Sequence, residues 1–261
     1  MTISSAERLL LDVREISIRF GGLCAVNRFS CALPNGALHA IIGPNGAGKT
    51  TVFNLLTGVY TPDAGEIYLK ARRIDGLRPY QIARAGMART FQNIRLFGEL
   101  SVLDNVKMGA QMRQPHALAS TVLRTGGYVA AERRTEATAR QILQIMGLAA
   151  REFVQAKHLP YGDQRRLEIA RALATGAQVL LLDEPAAGMN PREKQELMKL
   201  IGFIRSRFDV TILLIEHDMN LVMSISEKII VLDHGETIAV GTPSEIQSHP
   251  KVIEAYLGEP V

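Results

Sequence analysis

The sequence predicts an α/β fold with a parallel sheet at its core, an antiparallel β layer at its beginning and a helical segment inserted into the core. The first sign is a glycine-rich loop between a short apolar run and a helical pattern. The second is a set of short apolar runs that alternate with helical spacing, as buried parallel strands do. These runs are Val179–Leu182, Val210–Ile215 and Lys228–Leu232.

The composition is that of an ordinary globular protein with one large core. Of its 261 residues, 47% are hydrophobic and 21% are charged, which suits a packed interior under a solvated surface. The net charge of +4 is too small to favour either nucleic acid or an anionic membrane as a partner. Cys24 and Cys31 have neither metal-ligand spacing nor a disulfide framework, and their scarcity suits a reducing cytosol.

No stretch of the sequence predicts a membrane span. A span needs about 20 mainly apolar residues, and the longest charge-free stretch, 29–48, is interrupted by Pro34 and Pro44. Charged residues at the beginning, such as Glu7 and Arg8, leave no secretory pattern there. We therefore expect any contact with a membrane to pass through another protein.

The first 70 residues predict the antiparallel layer and the strand that leads into the glycine-rich loop. Apolar and polar residues alternate before the turn at Gly21-Gly22, and a second turn at Pro34–Gly36 precedes the apolar run. The predicted strands are Leu11–Phe20, Leu23–Leu33, Ala37–Ile42 and Glu66–Lys70, with a helix that begins within Val52–Leu56.

The loop itself has the pattern G-x-x-x-x-G-K-[ST] of a phosphate-binding loop. Its glycines let backbone N–H groups surround a phosphate chain, and the dipole of the following helix adds to the attraction. Lys49 is placed to reach the β- and γ-phosphates, and the Thr50 hydroxyl is placed to hold Mg²⁺. A chance glycine loop is the alternative. The predicted nucleotide-binding residues are Gly43, Pro44, Asn45, Gly46, Ala47, Gly48, Lys49, Thr50 and Thr51.

The middle of the chain is mainly helical. It begins with a predicted helix at Pro79–Ala85 and a strand at Met87–Phe91 that ends at Gln92. A helix capped by Ser101 and Asp104 follows and runs to about Met112; a connection (Gln114–Gly127) and a helix (Glu132–Met146) come next. We assign residues 93–178 to a helical subdomain, and 1–92 with 179–261 to the nucleotide-binding core and β layer of a single domain.

Two carboxylates follow the apolar run at 179–182. Asp183 is placed to bind Mg²⁺ through water, and Glu184, which points elsewhere, can take a proton from the attacking water. An apolar run that ends in Asp-Glu is common by itself. Its place downstream of a phosphate loop favours the catalytic interpretation.

Two further polar side chains end predicted strands. His217 follows the strand at 210–215, on the edge where ligands bind in parallel sheets, and a neutral imidazole there can hold the water and Glu184 in register. A lone histidine is more often structural. Gln92 is a neutral side chain able to contact Mg²⁺ or water.

A last motif completes the set of candidate site residues. We call this motif the signature, and its residues are Leu159, Pro160, Tyr161, Gly162 and Asp163. Together with the phosphate loop, Gln92, Asp183-Glu184 and His217, it resembles the ATP-binding cassette (ABC) ATPases, a class of P-loop NTPase, over essentially the whole chain.

The resemblance implies a dimer with shared ATP sites. Two cassettes face each other head to tail, and ATP lies between the phosphate loop of one chain and the signature of the other. The signature opens a helix, whose N–H groups and dipole can meet the γ-phosphate. The resemblance also implies that Phe20 stacks on adenine, although the sequence alone allows Phe20 to be a core residue.

Further stretches of the sequence carry a narrower resemblance; they are Arg19–Leu23, Arg89–Gln92, Tyr161–Glu168, Ile215–Met219 and Val252–Glu259. Together they resemble the LivG-type ATPases of branched-chain amino acid importers. This resemblance implies two different cassettes beneath two membrane permease subunits, at the cytoplasmic face of the inner membrane, with solute delivered by an external binding protein. Importers of urea and short amides share much of this sequence style.

The signature departs from the Leu-Ser-Gly-Gly-Gln that is usual in the family. Pro160 has no hydroxyl for the partner's phosphate, Tyr161 adds bulk, and Asn190 replaces the usual Asp in the loop after Glu184. The residues that this chain contributes to a partner's ATP site are therefore altered. We expect a heterodimer with unequal ATP sites, with a homodimer possible in isolation.

The predicted function is an ATP-driven transport motor that docks on the membrane subunits beside Gln92, with Asn93–Glu99 as the lining. One alternative is a DNA-repair or chromosome ATPase, but no sustained heptads separate Thr51 from Leu159. Another is a translation factor with tandem cassettes, but the chain has one phosphate loop. We therefore expect no nucleic-acid partner.

Overall fold

The computed structural model describes residues 9–112 and 126–257, and within these ranges the strands form two sheets. The strands are β1 (Leu9–Phe20), β2 (Leu23–Pro34), β3 (Leu38–Ile42), β4 (Ala64–Leu69), β5 (Arg72–Arg73), β6 (Met87–Arg89), β7 (Val179–Asp183), β8 (Thr211–Ile215), β9 (Lys228–Asp233) and β10 (Glu236–Gly241). The helices are α1 (Lys49–Leu56), α2 (Pro79–Ala85), α3 (Val102–Gln111), α4 (Gly126–Ile145), α5 (Tyr161–Ala174), α6 (Pro191–Phe208), α7 (Met219–Ile225), α8 (Pro243–Gln247) and α9 (Pro250–Leu257).

The smaller sheet has the strand order β2-β1-β4-β5, and its adjacent strands all pair antiparallel. Leu11 of β1 lies opposite Leu33 on one side and Leu69 on the other, so that apolar side chains share one buried face. This face packs against α1, with Phe53 fully buried in the contact. The predicted antiparallel β layer is confirmed.

The larger sheet has the order β10-β9-β3-β8-β7-β6. Its neighbours pair parallel from β9 through β6, and β10 adds an antiparallel edge that the sequence did not predict. Every residue of β3, β7 and β8 is buried, which explains why these strands read as continuous apolar runs. Their carboxyl ends meet at one edge of the sheet, and the predicted site residues follow them there.

Each face of the larger sheet is covered. Ile41, Leu181 and Leu213 point to the side of α1 and the smaller sheet. Alternate residues such as Leu180 and Leu182 point to the other side, where they join a core built with α3, α4, α5 and α6. The predicted α/β class with an inserted helical region is confirmed, and the exact division at 93 and 178 stays a prediction.

Two boundaries differ from the sequence prediction. The strand predicted to reach Phe91 ends at Arg89, because the backbone of Phe91 bonds to side chains of α5 instead of to β7. The helix predicted from Glu132 already begins at Gly126, so the end of the predicted connection Gln114–Gly127 is helical. The remainder of that connection lies outside the described residues.

Across residues 9–112 and 126–257, no helix combines the length and the apolar character that a bilayer crossing demands.

Candidate active site

The phosphate loop joins β3 to α1, and its backbone requires glycine at two points. Gly43 has a φ of 151°, and a Cβ there would lie 2.0 Å from the carbonyl oxygen of Leu232. Gly48 has a φ of 98°, and a Cβ there would lie 2.5 Å from the carbonyl oxygen of Ala25. Both contacts are with backbone that cannot move aside, so the loop keeps its curved shape only with glycine.

Lys49 lies across the concave side of this loop. Its side chain is nearly buried, and Nζ donates to the carbonyl oxygens of Gly43 at 2.7 Å and Pro44 at 2.8 Å. Burial lowers the pKa of Lys49, and the nearby carboxylates of Glu184 and Asp183 oppose that effect. A phosphate bound in the loop would therefore replace the two carbonyl oxygens as the hydrogen-bond partner of the ammonium group. Thr50, the next residue, is exposed at the start of α1.

Asp183 ends β7 in a buried ion pair that the sequence analysis missed. Its Oδ2 accepts from Nη2 of Arg89 at 2.6 Å, and both side chains are only 5% exposed. Arg89 also donates from Nη1 to Oδ1 of Asn54 at 2.7 Å. The guanidinium thus fixes the carboxylate against α1, which begins directly after the phosphate loop.

Glu184, Gln92 and His217 form the second group at this sheet edge. Gln92 donates from Nε2 to Oε2 of Glu184 at 2.8 Å, and Nδ1 of His217 lies 3.7 Å from the same oxygen. Glu184 has a φ of 45°, an uncommon conformation for a residue other than glycine. The structure therefore brings these three predicted residues together. Gln92 faces a carboxylate in this arrangement.

Glu216 holds the Glu184 and His217 loops in register and was also missed. It is 1% exposed, and its Oε1 accepts from the backbone N–H of Ala186 at 3.0 Å. Its Oε2 accepts from the backbone N–H of His217 at 3.0 Å. A hydrophobic residue in this place could not bind both loops.

Phe20 lies at the end of β1 and is 44% exposed, so the alternative that it is a core residue is wrong. Its ring meets that of Tyr60 edge to face, with the centroids 5.2 Å apart. An exposed aromatic face is available for a flat ligand such as a base.

The signature lies at the start of α5, where Pro160 precedes the first helical residue, Tyr161. The Tyr161 hydroxyl donates to the carbonyl oxygen of Ala187 at 3.0 Å, in the loop that follows Glu184. Leu159 is buried, and Asp163 pairs with Arg151. Asn190 caps α6, since its side chain accepts from the backbone N–H of Glu193 at 2.9 Å.

The C-terminal helix α9 lies beside the phosphate loop. A cavity of about 640 Å³ separates them, lined by Pro44 and Ala47 from the loop and by Lys251 and Glu254 from α9, among others. Burial raises the pKa of Tyr256, and the nearby backbone of Gly43 partly offsets the rise.

Two family models match the chain. Residues 26–187, more than half of its length, match the model described as "ABC transporter". Residues 236–261 match the model described as "Branched-chain amino acid ATP-binding cassette transporter".

Relatives and a solved structure agree with these matches. The chain is 49% identical to the high-affinity branched-chain amino acid transport ATP-binding protein LivG of Salmonella typhimurium, over 96% of this chain and 98% of that one. It is 46% identical to the corresponding protein BraF of Pseudomonas aeruginosa, over 97% and 99%. Its fold matches the ADP conformation of MJ1267, an ATP-binding cassette of an ABC transporter, with a TM-score of 0.83, 29% identity and coverage of 96% and 99%.

The phosphate loop, the acidic strand end and the signature helix occur here in one α/β fold, and family, relatives and fold neighbour agree. The chain belongs to the ABC transporter family and is one of its ATP-hydrolysing ATP-binding cassettes.

Proposed function

We propose that this chain is the ATP-hydrolysing subunit of an importer of branched-chain amino acids. Two observations support the solute. Full-length relatives at 49% and 46% identity carry that description, and the C-terminal residues 236–261 match a model specific to such transporters. Urea and short amides are the competing solutes, because their importers resemble this sequence.

Hydrolysis depends on the group formed by Glu184, Gln92 and His217. Glu184 is the general base that takes a proton from the attacking water, and Gln92 and His217 hold Glu184 and that water in place. Lys49 and the N–H groups of the loop stabilise the charge on the phosphates. Glu184 lies near enough to Lys49 for its charge to oppose the lowering of the lysine pKa, and this nearness is the observation that carries the proposal.

The donors at the loop fit a bound Mg²⁺. Thr50 offers an exposed hydroxyl and Asp183 a carboxylate, which are oxygen ligands of the kind that Mg²⁺ prefers. A bound Mg²⁺ neutralises charge on the phosphates. Arg89 holds the carboxylate of Asp183 fixed in direction for this role.

The working unit pairs this chain with a different cassette beneath two permease subunits, at the cytoplasmic face of the membrane. The loop side of the site is complete in this chain, whereas the signature carries Pro160 and Tyr161 in place of the usual small residues. Equal activity of the isolated chain and of the chain mixed with its paired cassette would contradict the unequal heterodimer.

A groove next to Gln92 suits the contact with the permease subunits. Its volume is about 500 Å³, and apolar side chains such as Phe91, Phe97 and Met108 line it. Phe97 is 48% exposed and belongs to the predicted lining Asn93–Glu99. An amphipathic helix of a membrane subunit fits such a groove.

One experiment tests the solute and the complex together. The chain is purified with its membrane subunits, placed in vesicles with the external binding protein, and assayed for ATPase with leucine, urea or acetamide. We expect co-purification and stimulation by leucine. Stimulation by urea or acetamide alone would contradict the solute, and the absence of any membrane subunit would contradict the transport role.

A further inference from the structure

A buried ion pair on α5 lies outside the group of residues that performs hydrolysis. Arg165 and Glu168 are 0% and 1% exposed, and Nη1 of Arg165 lies 2.8 Å from Oε2 of Glu168. Arg165 is among the largest fully buried side chains of the described residues. Such a pair needs an explanation, because removing two charges from water costs free energy.

The pair forms hydrogen bonds with both the carbonyl and the N–H groups of the segment that carries Gln92. Arg165 donates to the carbonyl oxygen of Phe91 at 2.6 Å and to that of Gln92 at 2.7 Å. Oε1 of Glu168 accepts from the backbone N–H of Phe91 at 3.3 Å and of Arg95 at 3.2 Å. These side chains therefore set the backbone position of Gln92, at the point where β6 has already ended.

Arg165 also contacts, through Tyr161, the loop that follows Glu184. Nη2 of Arg165 lies 3.4 Å from the hydroxyl of Tyr161, which in turn donates to the carbonyl oxygen of Ala187 at 3.0 Å. The ring of Tyr161 would also lie 3.6 Å from a Cβ at Gly188. One helix thus contacts both loops that meet in the Gln92–Glu184 hydrogen bond.

Stability does not account for this arrangement. A well-packed apolar pair is often as stable as a buried ion pair, or more so. Moreover, Nε of Arg165 is buried and has no hydrogen-bond partner among the described residues, which adds to the cost. Four hydrogen bonds from these two side chains fix the position of one loop. An apolar pair could not hold the loop in this way, because it forms no hydrogen bonds.

We propose that Arg165, Glu168 and Tyr161 form a positioning network that sets Gln92 against Glu184 and so links hydrolysis to the helix that the signature opens. The network acts through Gln92 and touches no reacting atom. The inference rests on the proposed roles of Gln92 and Glu184. Because the signature faces the partner's nucleotide in that proposal, the network connects the two ATP sites of the dimer.

The first test compares Arg165→Lys with Arg166→Lys in the assembled transporter. Lysine keeps the charge but cannot donate to both carbonyls and to Glu168 with one planar fork. We expect kcat to fall about 10- to 100-fold, as a small misplacement near the chemistry does, while the KM for ATP stays within about twofold. Arg166, whose ion pair with Glu196 is partly exposed, is the matched control and should leave kcat unchanged. A kcat of Arg165→Lys equal to the control overturns the proposal.

Gln92→Ala separates the network from the proposed function. We expect Gln92→Ala to lower kcat and the double variant with Arg165→Lys to lose little more, because both changes affect one unit. Losses that multiply fully would show that Arg165 acts elsewhere and would overturn the network. If Gln92→Ala retains full kcat, the proposed role of Gln92 fails and the network fails with it. A loss in Gln92→Ala without one in Arg165→Lys overturns the network alone.

Two measurements remain decisive if Arg165→Lys does not fold. Tyr161→Phe removes only a hydroxyl from a half-exposed side chain and should lower kcat severalfold, with a larger effect in the wild type than in Gln92→Ala. In the native protein, the amides of Phe91 and Arg95 should exchange hydrogen slowly, although neither lies in a helix or strand. Fast exchange at both amides overturns the network.

Discussion

The two halves of the active site are held in place to different degrees. Lys49, Arg89 and Asp183, on the side of the phosphate loop, are nearly buried and bound to backbone or to one another. On the hydrolytic side, Gln92 is exposed, and the side chains of Glu184 and His217 are 20% and 59% exposed. The single cassette thus has a nearly buried half beside the phosphate loop and an open half around Glu184 and His217.

This difference indicates which step needs a second chain. Groups with buried contacts keep their geometry alone, whereas exposed groups with few contacts gain it when another surface covers them. A head-to-tail partner would cover His217 and Glu184 and exclude bulk water. Binding should therefore be a property of this chain, and fast hydrolysis a property of the dimer. Three predictions test that contrast, and a fourth concerns the strand that leads into the phosphate loop.

The largest expected effect comes from Glu184→Gln. Glutamine keeps the size of the side chain but cannot take a proton, so turnover should fall about 10²- to 10⁴-fold while nucleotide affinity stays near that of the wild type. Steady-state ATPase and equilibrium nucleotide binding measure the two effects, and size exclusion with ATP should show trapped dimers. Near-normal turnover would remove Glu184 as the base.

Arg89→Met should test how rigid the phosphate half is. It leaves Asp183 buried without a counter-charge, and breaking a buried pair in this way costs about 3–5 kcal/mol of unfolding free energy. Arg73→Met is the control, since Arg73 pairs with Glu66 and Asp75 while half exposed and should leave the unfolding free energy nearly unchanged. Denaturant titration measures both, and equal losses would contradict the contrast.

Lys49→Ala should weaken nucleotide binding by the isolated chain. A hydrogen bond to a charged group contributes about 1.5–3 kcal/mol, so affinity should fall roughly 10- to 150-fold. Lys199→Ala, at an exposed lysine on α6, provides the comparison and should leave affinity unchanged. Calorimetric titration with ATP measures it, and unaltered affinity in Lys49→Ala would contradict the assigned role.

The smallest effect concerns His39 of β3, the strand that carries the phosphate loop. Burial and the charge of Lys228 hold the pKa of His39 below its usual value, although Glu227 opposes them. The unfolded chain therefore binds an extra proton as pH falls below about 6.5, and stability is lost on the acid side. Thermal melts at about pH 7.5 and pH 5.5 should show a smaller acid loss in His39→Gln than in the wild type. An equal loss in both would contradict this effect.

Local patterns in the sequence predicted the fold and most of the site, while distant pairings were missed. The phosphate loop, Asp183, Glu184 and His217 follow buried strands, and strand ends can be recognised from short apolar runs. Arg89 gave no such sign, because its importance depends on a carboxylate 94 positions away. The same holds for Arg165, which meets Phe91 and Gln92 only after α5 has packed.

Strand ends were also misjudged where side chains replace sheet partners. Phe91 continues an apolar pattern, and nothing near it in the sequence shows that Glu168 and Arg165 will take its hydrogen bonds. The edge strand β10 follows directly on the turn at His234-Gly235, and its register is set by pairing with β9.

The contact between α9 and the phosphate loop makes the end of the chain an indicator of nucleotide occupancy. Residues of both line one cavity, and Tyr256 of α9 lies close to the backbone of Gly43, so a ligand that orders the loop also favours docking of α9. Thermodynamic reciprocity then requires that undocking α9 weakens the ligand by the same factor. A protease acting near residue 250 should accordingly cut more slowly once ATP is added.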